Sequence, residues 1–204
     1  MLVDSRRCIA LVWETWAAQR GLDFRPFLRI AHGRRTSESV HLVAPQLDAK
    51  AEARALDALE EVETRGLAPA PGAAQLVTSI GEGRWAVVTS GNRAVATLRL
   101  LSAGLPVPSV FVTADDVRRG KPDPEPYLLA ARRLGGGRAP ADCVVVEDSP
   151  TGLASGKAAG MRVIGVLLTH GADELAAADA HVASLADLTV VREAGGSMLA
   201  LSWP

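Results

Sequence analysis

A chain of 204 residues with 22 basic and 23 acidic side chains has room for one ordinary domain, or for a core with a small inserted module. Its net charge of −1 offers no basic field for nucleic acid, and no apolar run or signal pattern points to a membrane. The two cysteines, Cys8 and Cys143, suit neither a disulfide framework nor a zinc set, so a reducing, cytoplasmic setting is expected.

Met1 to Ser5 lead directly into a predicted helix capped by Ser5 or Asp4, with Ile9, Val12, Trp13 and Trp16 on one face and Gly21 at its end. Asp23 to Ala31 and Thr36 to Ala44 read as two short helices separated by His32-Gly-Arg-Arg35. Asp48 to Arg65 reads as a longer helix, with Ala51, Ala55, Leu56, Leu59 and Val62 inward and Glu60, Glu61 and Glu63 mostly outward. The first third is therefore expected to be helical, without a strand.

The texture changes at Leu67-Ala-Pro-Ala-Pro-Gly72, a proline-rich hinge or linker. Helices and strands then alternate. Helix Ala73–Ile80 precedes strand Trp85–Val88, and helix Arg93–Ala103 precedes strand Val110–Thr113. Helix Glu125–Leu134 leads to strand Cys143–Val146, and helix Pro150–Ala159 to strand Arg162–Val166. A short helix at Asp173–Ala178 and a weak strand at His181–Ala183 complete the series. Such alternation predicts an α/β fold, a mostly parallel sheet in three layers, preceded by a helical module.

Polar residues stand just after three of these elements. Thr89, Ser90, Gly91 and Asn92 follow a strand, where hydroxyls and backbone N–H groups near a helix start suit a phosphate oxygen; a capped turn is the plainer reading. Lys121, one of three lysines, lies between Gly120 and Pro122 in a loop stiffened by prolines 122, 124 and 126. A fixed ammonium suits charge neutralisation on a transferring phosphoryl group, although a lone lysine in such a turn is more often a surface residue. Glu147 and Asp148 close the strand Cys143–Val146 before Ser149, a helix N-cap, and Pro150. Paired acids there suit a hard cation such as Mg²⁺, completed by water and a phosphate; an acidic capped turn is the alternative. A parallel sheet brings all three loops to one edge, and that convergence favours phosphate chemistry.

The segments Val87-Val-Thr-Ser-Gly, Gly120-Lys-Pro-Asp-Pro and Val146-Glu-Asp-Ser-Pro-Thr-Gly resemble motifs two, three and four of the haloacid dehalogenase-like hydrolases, subfamily IA. The helices between Ser5 and Leu67 resemble their inserted cap. His32-Gly-Arg-Arg-Thr36 and Gly156-Lys-Ala-Ala-Gly160 are similar to the branch of 2-deoxyglucose-6-phosphate and glycerol-3-phosphate phosphatases. The resemblance implies a Rossmann-like core over residues 68–204, a helical cap over 5–67, and a remnant of the first motif at 1–4. It also implies that Thr89 binds the transferring phosphoryl group and Lys121 neutralises it. Ser90, Gly91 and Asn92 would line the substrate. Asp148 would ligate Mg²⁺, with Glu147 as a further ligand or just behind it. Arg35, with His32 and Arg34, would face the leaving group of a small phosphorylated metabolite; a monomer or weak homodimer is expected.

The family's first motif reads Asp-x-Asp-Gly-(Thr or Val)-Leu-Val-Asp-Ser, and Leu2-Val-Asp-Ser5 matches only its tail. Its first aspartate attacks phosphorus to form an aspartyl-phosphate, and its second is the acid and base. Asp4 matches a later aspartate and supplies neither role. The strand carrying this motif would lie between those ending at Thr89 and Glu147, so both neighbours are expected to expose backbone groups. Either the start is placed too late, at a valine codon read as an initiator, or the chain is a non-catalytic relic that still binds phosphate. Without an N-terminal extension, no useful turnover is expected. Lys50, on the polar side of a helix, argues against a phosphonatase, and the acids argue against a dehalogenase; a mutase stays open.

Overall fold

The computed structural model describes residues 1–23, 25, 33–137, 139–192 and 199–203. The predicted helix Asp23–Ala31 and His32 lie almost wholly outside these residues. The helical module consists of α1 (Arg6–Ala18), α2 (Thr36–Val43) and α3 (Ala49–Glu60). Asp48 caps α3 by accepting from the Lys50 and Ala51 amides, at 2.9 and 3.1 Å. The module has a core of its own, formed by Val12, Trp13, Trp16, Val40, Ala44 and Leu56. Trp13 and Trp16 meet edge to face at 5.5 Å, and the Trp16 indole donates to Glu52 at 2.8 Å.

Three expectations for this module are corrected. The helix predicted to run to Arg65 stops at Glu60, because the Glu63 carboxylate accepts from the Arg65 amide at 2.9 Å and offers the backbone a turn instead. Val62 is accordingly 78% exposed rather than inward, and Glu60 is buried rather than outward. The proline segment is no free linker: β2 (Ala68–Pro69) pairs antiparallel with β1 (Val3–Asp4) where the chain leaves and re-enters the core.

After β2 come α4 (Ala73–Ile80), β3 (Ala86–Val88), α5 (Arg93–Ser102), β4 (Val110–Val112), α6 (Glu125–Leu134), β5 (Val144–Glu147), α7 (Pro150–Ala158), β6 (Arg162–Val166) and β7 (Ala180–Val182). The strands are short apolar runs rich in valine, the pattern of parallel strands buried on both faces. Ala73, Leu76, Ala96 and Leu100 of α4 and α5 pack on one face, against Phe111, Ile164 and Val166. Tyr127, Ala130, Ala131 and Leu153 of α6 and α7 cover the other, against Val112, Val145 and Val163. This is the expected three-layer α/β arrangement. Asp173–Ala178 is a series of turns, not a helix, and a terminal antiparallel hairpin of β8 (Thr189–Arg192) and β9 (Leu199–Ser202) was not expected.

The parallel strands form two groups among the described residues: β3 with β4, and β5 with β6 and β7. No pairing joins β3 to β5. Between them runs a cavity of about 580 Å³, lined by residues 85–91 on one side and 142–149 on the other, with Met1, Leu2 and Val3 also on its wall.

Candidate active site at the mouth of the slot

The carboxyl ends of β3 and β5 open on the same mouth, and Lys121 bridges them. Its ammonium donates to the Val88 carbonyl at 3.1 Å and to Glu147 Oε1, while lying 5.0 Å from the centre of the Tyr127 ring. Only 6% of Lys121 is exposed, so its charge is presented from a dry, fixed position. The loop carrying it is pinned from several sides. Glu125 accepts from the Arg118 and Arg119 amides, each at 2.9 Å, and Ser155 donates to the Asp123 carbonyl at 2.6 Å.

Glu147 is saturated by protein partners. Oε1 accepts from Lys121 and from the Tyr127 hydroxyl at 2.6 Å. Oε2 accepts from the Asp148 and Ser149 amides and the Ser149 hydroxyl, at 3.1, 3.3 and 3.1 Å. Burial alone raises this carboxyl, but the Lys121 charge and the Lys121 and Tyr127 hydrogen bonds outweigh it and hold the group well below the ordinary carboxylate range. Tyr127 moves the other way, its phenol raised by burial and by the charge of Glu147. With its lone-pair sites filled, Glu147 has none to spare for an ion, so of its two expected roles the geometry fits the one behind the ligand. Gly152 makes the packing possible, since a Cβ there would overlap the Glu147 carboxylate.

Asp148 is the less committed acid. Its carboxylate lies 3.8 Å from the Met1 ammonium. Thr169 and His170 hold its carbonyl, at 2.7 and 2.8 Å, which fixes the backbone and leaves the carboxylate at the mouth. Across the mouth, Thr89 donates its amide to the Val112 carbonyl at 2.9 Å and accepts from the Gly91 amide at 3.2 Å. Its hydroxyl proton has no acceptor among the described residues, and the side chain borders the cavity.

Other expected substrate contacts have protein partners. Ser90 donates to the Gly33 carbonyl at 2.8 Å, joining the mouth to the helical module. Asn92 caps α5 by accepting from the Val95 amide at 2.8 Å. Gly91 donates its carbonyl to the Ala114 amide at 3.0 Å and has no close neighbour that requires a glycine. Arg35 does not face a leaving group: its guanidinium donates to the carbonyls of Val117, Arg118 and Ala114, at 2.7, 3.1 and 3.4 Å. Five fixed donors meeting three backbone acceptors make it a strap between module and core. Arg34 lines the cavity, and His32 falls outside the described residues. Gly33, at φ +75°, fits against Ser149 and Thr151, where any side chain would overlap both hydroxyls.

Sequence reasoning missed Tyr127 and the Glu60–Arg99 pair. Tyr127 is the chain's one tyrosine, six residues after Lys121 on the first turn of a helix, a signal that was there to read. Glu60 of α3 and Arg99 of α5 meet at 3.2 Å across the junction of module and core. Burial raises the Glu60 carboxyl against the pull of Arg99. No sequence signal links them, because the pairing depends on where α3 stops.

The family model for the haloacid dehalogenase-like hydrolases matches residues 5–160 of the chain. Hexitol phosphatase A of Escherichia coli (strain K12) is 41% identical over 203 residues, covering 97% of this chain and 93% of that protein. Glycerol-1-phosphate phosphohydrolase 2 of Saccharomyces cerevisiae is 33% identical over 184 residues, covering 85% of this chain and 74% of that protein. The crystal structure of a hydrolase from Pseudomonas syringae superposes with a TM-score of 0.80 over 92% of this chain and 91% of that one, at 21% identity.

Proposed function

The chain belongs to the haloacid dehalogenase-like hydrolases, and from that premise we propose that it carries the phosphate-binding and charge-neutralising half of a phosphatase for small sugar or polyol phosphates. One observation carries the reading: Thr89, the buried Lys121 and Asp148 converge on a single mouth at the ends of parallel strands. In this reading Thr89 donates its hydroxyl to a phosphoryl oxygen. Lys121 neutralises the developing charge from a site already desolvated, so no reorganisation is needed as the charge grows. Glu147 and Tyr127 hold that ammonium in place without touching the substrate. The helical module, strapped by Arg35 and by the Ser90–Gly33 bond, closes the mouth as a cap, with Arg34 on its inner wall.

Among the described residues no three histidine, cysteine or acidic side chains cluster as a ready-made metal cage. Mg²⁺ asks for less, because it is held by one or two carboxylates with waters and phosphate, and Asp148 fits the part of one such ligand. When bound there, the cation supplies charge neutralisation at the phosphate.

The attacking carboxylate is not among the side chains at the mouth. Of the acids lining the cavity, Glu147 is saturated, Glu60 pairs with Arg99, and Asp142 stands at the opposite end of β5. Asp148 is the metal ligand in this reading. The chain as given is therefore proposed to be inactive, and to gain turnover when a strand ending in Asp-x-Asp-Gly is fused ahead of Met1. The two relatives' names, hexitol phosphatase and glycerol-1-phosphate phosphohydrolase, support polyol phosphates as substrates.

The test is a panel of phosphate esters offered to the fused chain with Mg²⁺. Hexitol and glycerol phosphates should be hydrolysed with higher kcat/KM than nucleotides. Phosphate binding without release from any ester would favour a non-catalytic phosphate-binding protein.

A further inference from the structure

The slot between β3 and β5 presents two parallel strands, each paired on one side only. In a parallel ladder alternate residues turn N–H and C=O to opposite sides, so each strand offers donors and acceptors along its second edge. The Val88 carbonyl, reached by Lys121 across the mouth, is one such group. Left dry and unpaired, each costs about 1–3 kcal/mol. The walls above and below are apolar, with Leu76 and Leu100 in the layer of α4 and α5 and Ala131 and Met161 in the opposite layer.

We infer that this slot is an acceptor site for a separate extended peptide, one that enters as a parallel strand and carries a carboxylate at its C-terminal end. The flanking strands have three and four residues, so the paired part of the occupant is about four residues long. Apolar walls on both faces require a continuous apolar run rather than an alternating one. Direction follows from charge. A parallel occupant ends beside the Lys121 ammonium, where a carboxylate is favoured; an antiparallel one would bring its acid to the apolar end near Trp85 and Ala86. A folded second copy of the chain is a poor occupant, because the slot lies between two helical layers and admits only an extended segment. The inference deepens the phosphatase reading, and rests on it only in placing the new carboxylate at a catalytic mouth.

The test uses the chain as it stands and the acetylated, amidated peptide Lys-Lys-Val-Ile-Val-Phe-Asp-Gly. Saturable one-to-one binding should slow amide exchange at least about tenfold within Ala86–Val88 and Val144–Glu147, while the β8–β9 hairpin is unchanged. Replacing the peptide's isoleucine by proline removes a ladder donor and should weaken binding at least about tenfold. No slowing, equal binding of the proline peptide, or slowing confined to other strands would overturn the inference. Phosphate release from glycerol phosphate in the same mixtures separates the two readings. Binding without release upholds the acceptor site and counts against the phosphatase; an active fused chain that ignores the free peptide overturns the acceptor site alone.

Discussion

Lys121 and Glu147 form a pair whose members are 6% exposed each, and neither is tolerable there without the other. Lys121→Met should cost roughly 3–5 kcal/mol in urea unfolding, and the double variant with Glu147→Gln should recover part of that loss. Recovery of nothing would mean that the lysine acts through packing alone. Tyr127→Phe removes one hydrogen bond to a charged acceptor and should cost about 1.5–3 kcal/mol. Glu60 makes the prediction for pH. Its folded pKa is raised above the usual carboxylate value, so as pH rises past about 4.5 the unfolded chain loses this proton first. Stability is therefore drained through the window that starts there and runs up to the folded value. Glu60→Gln should abolish that downward slope, read from urea midpoints at pH 4 and pH 7. Of these residues, Lys121 was readable from the sequence as a fixed cation, because prolines 122, 124 and 126 bracket it. Glu60 was misread, because helical periodicity continues past the point where Glu63 and Arg65 turn the chain away.

At the scale of elements, β6 alone has a strand on each side among the described residues. Its amides should exchange most slowly of any strand, and those of β3 faster, despite similar apolar content. The helical module depends on Trp16, fully buried between α1 and its neighbours, and Trp16→Ala should cost about 3–5 kcal/mol. Arg35→Ala should leave the α/β core folded but loosen the junction, seen as faster proteolysis within Gly33–Thr36. Unchanged cleavage would remove the strap role. The alternation of helix and strand was legible because buried valine runs such as Val144–Val146 differ so sharply from the alanine-rich helices around them. The β1–β2 pairing was not, since two residues on each side carry no periodicity, and prolines at 69 and 71 suggested a linker. The terminal hairpin escaped for a similar reason: Thr189–Arg192 gives no sign of its antiparallel partner.

For the whole molecule, phosphate chemistry was legible because three loops with different functional groups follow parallel strands in the right order. What no sequence reading supplied was the division of labour inside them. Ser90, Asn92 and Arg35 hold the architecture together, while Thr89, Lys121 and Asp148 are left facing the cavity. The account's central claim is that these three need one further carboxylate, delivered by a strand in the slot. Phosphate release from a hexitol phosphate with Mg²⁺, measured side by side for the chain as given and for the chain fused to a strand ending in Asp-x-Asp-Gly, tests that claim directly. The account predicts no release above background from the first and steady turnover from the second. Turnover by the unfused chain, or none by a folded fused chain, would contradict it.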